Sequence, residues 1–188
     1  MNKLEMNLKN LIVSFWNYYK EHDIEIYNEF SLQHELGIYL RNELPDYKVQ
    51  FERNISYFYS NTKTIKKEID IVIFSKDLKD KYSIELKFPR NGQYPEQMFS
   101  FIKDIKFMEE LKEIGFNKTF VMTVVDDHNF YSGKSNKGDI YNYFRGNETI
   151  HGTIYKPTGS KKENIEIKGS YNINWDDVDD YKYYIIEI

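Results

Sequence analysis

The run EIDIVIFSKDLKDKYSIELKFP, Glu68 to Pro89, decides the fold. It reads as two strands, Ile69–Phe74 and Tyr82–Phe88, joined by a charged turn centred near Leu78. Both strands are apolar on both sides, as expected of a central sheet pair and not of an exposed ribbon. Three charged residues nevertheless stand in them: Asp70, Glu85 and Lys87. Alternation along a strand sets Glu85 and Lys87 on one face and Leu86 on the other. Folding the hairpin about Leu78 brings Asp70 opposite residue 86, give or take one. A one-residue offset places it across from Glu85 or Lys87, on their face.

Two neighbouring carboxylates in an apolar setting repel and are poorly solvated, and a divalent cation offsets that cost. The chain has no cysteine and its four histidines share no spacing, so the ligands are oxygens. Oxygen ligands favour Mg²⁺ or Mn²⁺ over Zn²⁺. A lysine beside such an ion can orient a water and help deprotonate it, which points to metal-assisted hydrolysis of a phosphodiester. The plainer alternative is a solvated cross-strand ion pair, worth under about 1 kcal/mol. The apolar flanks on both sides of these residues argue against it.

Working outward, Leu4 to Lys20 carries an apolar stripe of Leu8, Leu11, Ile12, Phe15 and Trp16 at helical spacing. A second helix is expected from Asn28 to Leu44, stopped by Pro45. Tyr47–Tyr59 alternates as a strand or a bent pair of strands. After the hairpin, Glu96–Ile114 is a helix with Phe101, Ile105, Met108 and Leu111 inward, ended by Gly115. Lys118–Val125 reads as a buried strand. Asp126–Asn147 reads as a polar, mobile loop carrying a short helix. Gly152–Tyr155, Ile165–Ile167 and Tyr183–Ile188 read as short strands, and the acidic run Asp176–Asp180 as a solvated turn. No repeat or linker divides the 188 residues, so one domain is expected, of α/β (α+β) class with a mixed central sheet flanked by helices.

Composition sets outer limits. With 40% hydrophobic and 30% charged residues the chain is globular, not disordered. Its 17 tyrosines, its many lysines, asparagines and isoleucines, and its lack of alanine suit an AT-rich bacterial, phage or plasmid genome. The cysteine count allows a reducing cytoplasm. The N-terminal stretch lacks the pattern of a secretion signal, and no run approaches a membrane span. The formal charge of −4 gives no global pull toward nucleic acid, which leaves a local basic cleft as the route to DNA. Lys63, Lys66, Lys67, Arg90, Lys134 and Lys137 are the candidate backbone contacts. Gly133-Lys134-Ser135 is no phosphate-binding loop, because His128 stands where its upstream glycine belongs.

Asp70, a turn, then Glu85-Leu86-Lys87 resembles the signature of the PD-(D/E)XK nuclease superfamily, with Ile69 where that family's leading proline stands. The order helix, strand pair, helix, strand resembles that family as well. The resemblance implies a restriction-endonuclease-like fold and an endonuclease that hydrolyses DNA with Mg²⁺, in restriction or phage defence. It implies metal ligation by Asp70, Glu85 and the Leu86 carbonyl, with Lys87 positioning the attacking water. It also implies a glutamate on the preceding helix. Glu29 shares a face with Gln33, Leu36 and Leu40, and Glu35 is the other choice. On the later helix, Gln97 and Asp104 share a face, with Asp104 read as solvated. Duplex cutting calls for two sites, hence a homodimer. A rival expectation is a catalytically inactive nuclease-like fold that binds nucleic acid or protein.

Overall fold

The computed structural model describes residues 8–159 and 163–188. Two helices open it: α1 (Leu8–Glu21) and α2 (Glu29–Glu43). The segment 4–7 of the expected first helix lies outside the described residues. Helix α2 starts where Asn28 and Ser31 form a reciprocal cap, Ser31 N–H donating to Asn28 Oδ1 and Asn28 N–H to Ser31 Oγ. It ends just before Leu44-Pro45, where the ring of a proline disfavours helical backbone in the residue ahead of it.

Strands β1 (Lys48–Asn54), β2 (Glu68–Phe74) and β3 (Lys81–Lys87) then form an antiparallel meander. Tyr47–Tyr59 is thus not strand throughout. The Asn54 side chain accepts Ser56 N–H and turns 55–57 into a short 3₁₀ segment that sinks Ile55 into the core. Helix α3 (Tyr94–Glu113) crosses over to β4 (Lys118–Val125), which pairs parallel with β3, Glu85 beside Val121 and Lys87 beside Thr123. Gly115 ends α3 with φ of 108°, a conformation that side-chain-bearing residues avoid.

The short helix α4 (Ile140–Arg145) follows, then a separate hairpin of β5 (Ile150–Tyr155) and β6 (Asn164–Tyr171). The loop before α4, expected to be mobile, is tied down: Arg145 donates to the Asn129 and Lys134 carbonyls, and Gly138 N–H to Glu148 Oε2 at 3.0 Å. Strands β7 (Asp176–Val178) and β8 (Tyr181–Glu187) complete the main sheet, in the order β1-β2-β3-β4-β8-β7. The acidic run is therefore partly strand. Asp176 and Asp177 pair with Tyr183 and Lys182, and the turn is left to Asp179 and Asp180.

The class is α+β, with one parallel pair in an otherwise antiparallel sheet. Ile71, Ile73, Ile84, Leu86, Phe120 and Met122 pack with α1 and α2 on one face. Val72, Phe74 and Val121 pack with α3, α4 and the β5–β6 hairpin on the other. The hairpin is fastened to α3 by buried Glu109, which accepts Lys168 N–H, Gly169 N–H and the Tyr171 hydroxyl. Among the described residues no helix is long and apolar enough to cross a membrane.

Candidate active site

The β2–β3 ladder runs from Phe74–Lys81 to Ile71–Ile84. Continued by one step, that register sets Asp70 level with Glu85. The ladder itself stops before it. On the other side, β1 pairs with β2 at Phe51–Ile71 and at Arg53–Ile69, and skips Asp70. The skipped partner, Glu52, has φ of 46°, a left-handed backbone that costs a non-glycine residue about 1–2 kcal/mol. Both neighbouring strands thus release Asp70. Its carbonyl instead accepts from Gln33 Nε2 at 2.8 Å, and the same amide donates to Glu52 Oε1 at 2.6 Å. Its carboxylate accepts Leu86 N–H at 2.8 Å. Backbone strain of this kind persists where the surroundings enforce it, commonly at functional sites.

Glu85 projects from β3 toward α3 and is fully buried. Asp104 of α3 meets it there, 1% exposed. Lys66, from the segment ahead of β2, donates to Glu85 Oε1 and, at 2.7 Å, to Asp104 Oδ1. Lys87 Nζ donates to Glu29 Oε1 at 3.2 Å and to the Leu86 carbonyl at 3.0 Å, and lies 3.9 Å from Asp104 Oδ2. Glu29 reaches round from the start of α2, its other oxygen accepting Phe88 N–H at 3.0 Å. Glu35, the alternative helix glutamate, bonds His34 and takes no part. Gln97 bonds Asn91 and stays outside the cluster.

Four carboxylates, Glu29, Asp70, Glu85 and Asp104, therefore face two ammonium groups. Burial pushes the Asp70 carboxyl up to about 6, and the Leu86 N–H and the two lysines only partly counter it. Burial also raises Asp104, against the pull of Lys87 and Lys66. For Lys87 burial disfavours the charge, but Asp104, Glu29 and Asp70 outweigh it and hold the ammonium above its ordinary range. Lys87 is consequently a donor at neutral pH, not a proton acceptor.

The chain matches no family model, curated protein or solved structure. Its function is therefore read from the chemistry of the cluster.

In chemistry the residues fit a hard divalent ion. The donors are oxygens, and Glu85 Oε2 and Asp104 Oδ2 are buried with no hydrogen-bond partner. Among the described residues, no three His, Cys, Asp or Glu side chains already stand grouped as an ion cage. The Leu86 carbonyl, expected as a ligand, accepts from Lys87.

Sequence reasoning misplaces two residues. Asp104, expected to be solvated, is buried in the cluster; Lys66, expected as a surface contact, has its head among the carboxylates. A third, Gln33, stands out in the sequence only for its helix face. A polar side chain there, on a row with Leu36 and Leu40, is the available signal. Lys63, Lys67, Lys134 and Lys137 are not drawn into the cluster, and Arg90 pairs with Asp126. Tyr27 and Phe30, neighbours of Glu29 in the chain, are 60% and 75% exposed.

Proposed function

We propose that this chain is a metal-dependent nuclease of the PD-(D/E)XK type, hydrolysing DNA phosphodiesters with Mg²⁺ or Mn²⁺. The observation that carries the reading is the release of Asp70 from both sheet ladders, level with Glu85. Asp70 and Glu85 would hold the ion. Bound there, it supplies Lewis acidity and a more acidic water. The chain's own groups do the rest. Lys87, kept cationic by Glu29 and Asp104, donates to the phosphate oxygens as charge develops on them. Glu29 holds that ammonium in place and is itself fixed by Phe88 N–H. Gln33 maintains the broken ladder that presents Asp70. Duplex cleavage would take two copies of the site, and hence a dimer.

The decisive assay is cleavage of supercoiled, linear and single-stranded DNA with Mg²⁺, with Mn²⁺ or with chelator. Wild type should cut only with the ion, and Glu85→Gln should not cut. Metal-independent cutting, no cutting of any substrate, or full activity in Glu85→Gln would each end the proposal.

The exposed rings of Tyr27 and Phe30, next to Glu29 in the chain, favour a substrate with accessible bases. Stacking on an aromatic ring contributes about 1–3 kcal/mol per base. Phe30→Ala should therefore weaken single-stranded DNA binding by about tenfold or more in a fluorescence-anisotropy titration, while Mg²⁺ binding stays unchanged. Equal DNA affinity in the variant would remove Phe30 from the binding surface.

A second reading, a nuclease-like fold that only binds, is favoured by the pairing of the carboxylates with Lys66 and Lys87. It expects no heat on titration with either ion.

A further inference from the structure

Lys66 belongs to no motif, yet its ammonium enters the most buried part of the cluster, between Glu85 and Asp104. These carboxylates are 0% and 1% exposed. With both carboxylates ionised, one ammonium leaves the pair with one net negative charge, and Lys87, 3.9 Å from Asp104, is shared with Glu29. Each carboxylate also keeps one oxygen, Glu85 Oε2 and Asp104 Oδ2, buried without a hydrogen-bond donor. Buried carboxylate oxygens need a donor or a cation. Two of them in one buried cluster make a ligand set that a single lysine does not exhaust.

The backbone around Lys66 is fixed independently of its head, which is held by the two carboxylates. Ile65 N–H donates to Glu110 Oε2 at 2.7 Å, and Ile55 N–H donates to the Lys67 carbonyl at 2.8 Å, so the backbone is held on both sides. The Lys66 side chain is 33% exposed, with Nζ 5.9 Å from the centre of the Phe107 ring. A long flexible stem of this kind can carry its charge out to water without moving the backbone.

We infer that Glu85 and Asp104 form a divalent-cation site which Lys66 fills as a tethered stand-in, and that a hard ion such as Mg²⁺ or Mn²⁺ enters by displacing the Lys66 ammonium into solvent. This rests on the reading of Glu85 as a metal ligand, and adds Asp104 as a ligand and Lys66 as an internal competitor. Exchange of one charge for two neutralises the pair. The competitor also sets a threshold: if the lysine occupies the site about nine-tenths of the time, the apparent affinity for the ion falls about tenfold.

The test uses Mn²⁺ alone as the probe, without DNA. In wild type, acetylation of Lys66, read by mass spectrometry, should rise several-fold as Mn²⁺ saturates the protein, with Lys63 unchanged. By calorimetry, Lys66→Met should bind Mn²⁺ about tenfold more tightly, and Asp104→Asn about tenfold more weakly. Lys66 equally or less reactive with Mn²⁺ bound, or no Mn²⁺ binding at millimolar concentration, overturns the inference. Should Lys66→Met not fold, the wild-type labelling decides alone. A protein that takes Mn²⁺ and exposes Lys66 but cuts no DNA removes the nuclease reading and keeps this one. A protein that cuts DNA while Lys66 stays protected does the reverse.

Discussion

Asp70→Asn should make the protein more stable above pH 7 while sharply reducing the ion-dependent cleavage proposed above. The two effects share one cause. The folded carboxyl titrates near 6, against an ordinary 3.8, because burial penalises its charge. A raised folded-state value means that the native protein binds the proton more tightly than the unfolded chain. Stability from this group is therefore fully present below about pH 4, and is lost as pH rises through 6. A rise of that size corresponds to about 3 kcal/mol of cost in the ionised state. The amide that replaces the carboxylate keeps an oxygen that can accept Leu86 N–H and carries no charge, so that cost disappears. Urea titrations should show the variant more stable by about 2–3 kcal/mol at about pH 8, with the gap closing through about pH 6 and gone near about pH 4. Cleavage should fall about 10²–10³-fold or more, as when a group that stabilises transition-state charge is removed. A gain in stability with a loss of function marks a residue retained for chemistry. If Asp70→Asn is no more stable than wild type at alkaline pH, Asp70 is an ordinary satisfied carboxylate.

The strand pair was legible because everything that fixes it is local. Apolar runs, a turn centred at Leu78 (which adopts φ of 60°) and a period of two give the register within one residue. Glu29 was legible through helical spacing, although its bond to Lys87 spans 58 positions. What could not be read is how separate elements cross. Asp104 stands on the row of Phe101 and Met108, which are core residues, so its burial left a faint trace as a charge on an apolar stripe. Its partners are set by where α3 passes over β3, a tertiary fact. Lys66 lies in a basic, polar stretch that looks like surface. Long-range bonds turn it inward, among them Ile65–Glu110, 45 positions apart, and Lys66 to Asp104, 38 positions apart. The break in both ladders at Asp70 had no local signal, since Glu52 is not a residue that favours left-handed backbone.

If the chain is the nuclease proposed above, Lys87→Met should be among the most damaging single changes to its catalysis. In the folded protein this ammonium is shared by Glu29 Oε1 and the Leu86 carbonyl, and it faces Asp104 Oδ2. Methionine keeps the stem but leaves Asp104 with Lys66 as its one close cation, and Glu29 with only the Phe88 N–H. Removing one partner of a buried charge pair typically costs about 3–5 kcal/mol. Glu29 is 40% exposed, so water recovers part of its share and a loss nearer about 3 kcal/mol is expected. The rate should drop about 10²–10³-fold, the usual effect of deleting one donor aimed at developing charge. Stability loss alone would lower the amount of active enzyme and not kcat per folded molecule, so the two must be measured separately. Lys87→Arg separates them further. Arginine keeps the charge and should recover most of the stability, but its planar fork cannot place a single donor where the ammonium stood, so kcat should stay low. The wild-type rate should also show no alkaline decline from Lys87 below about pH 10, because its neighbours hold it above the ordinary 10.5. Wild-type kcat in Lys87→Met, or full recovery of kcat in Lys87→Arg, would reduce Lys87 to a counter-charge for Glu29 and Asp104.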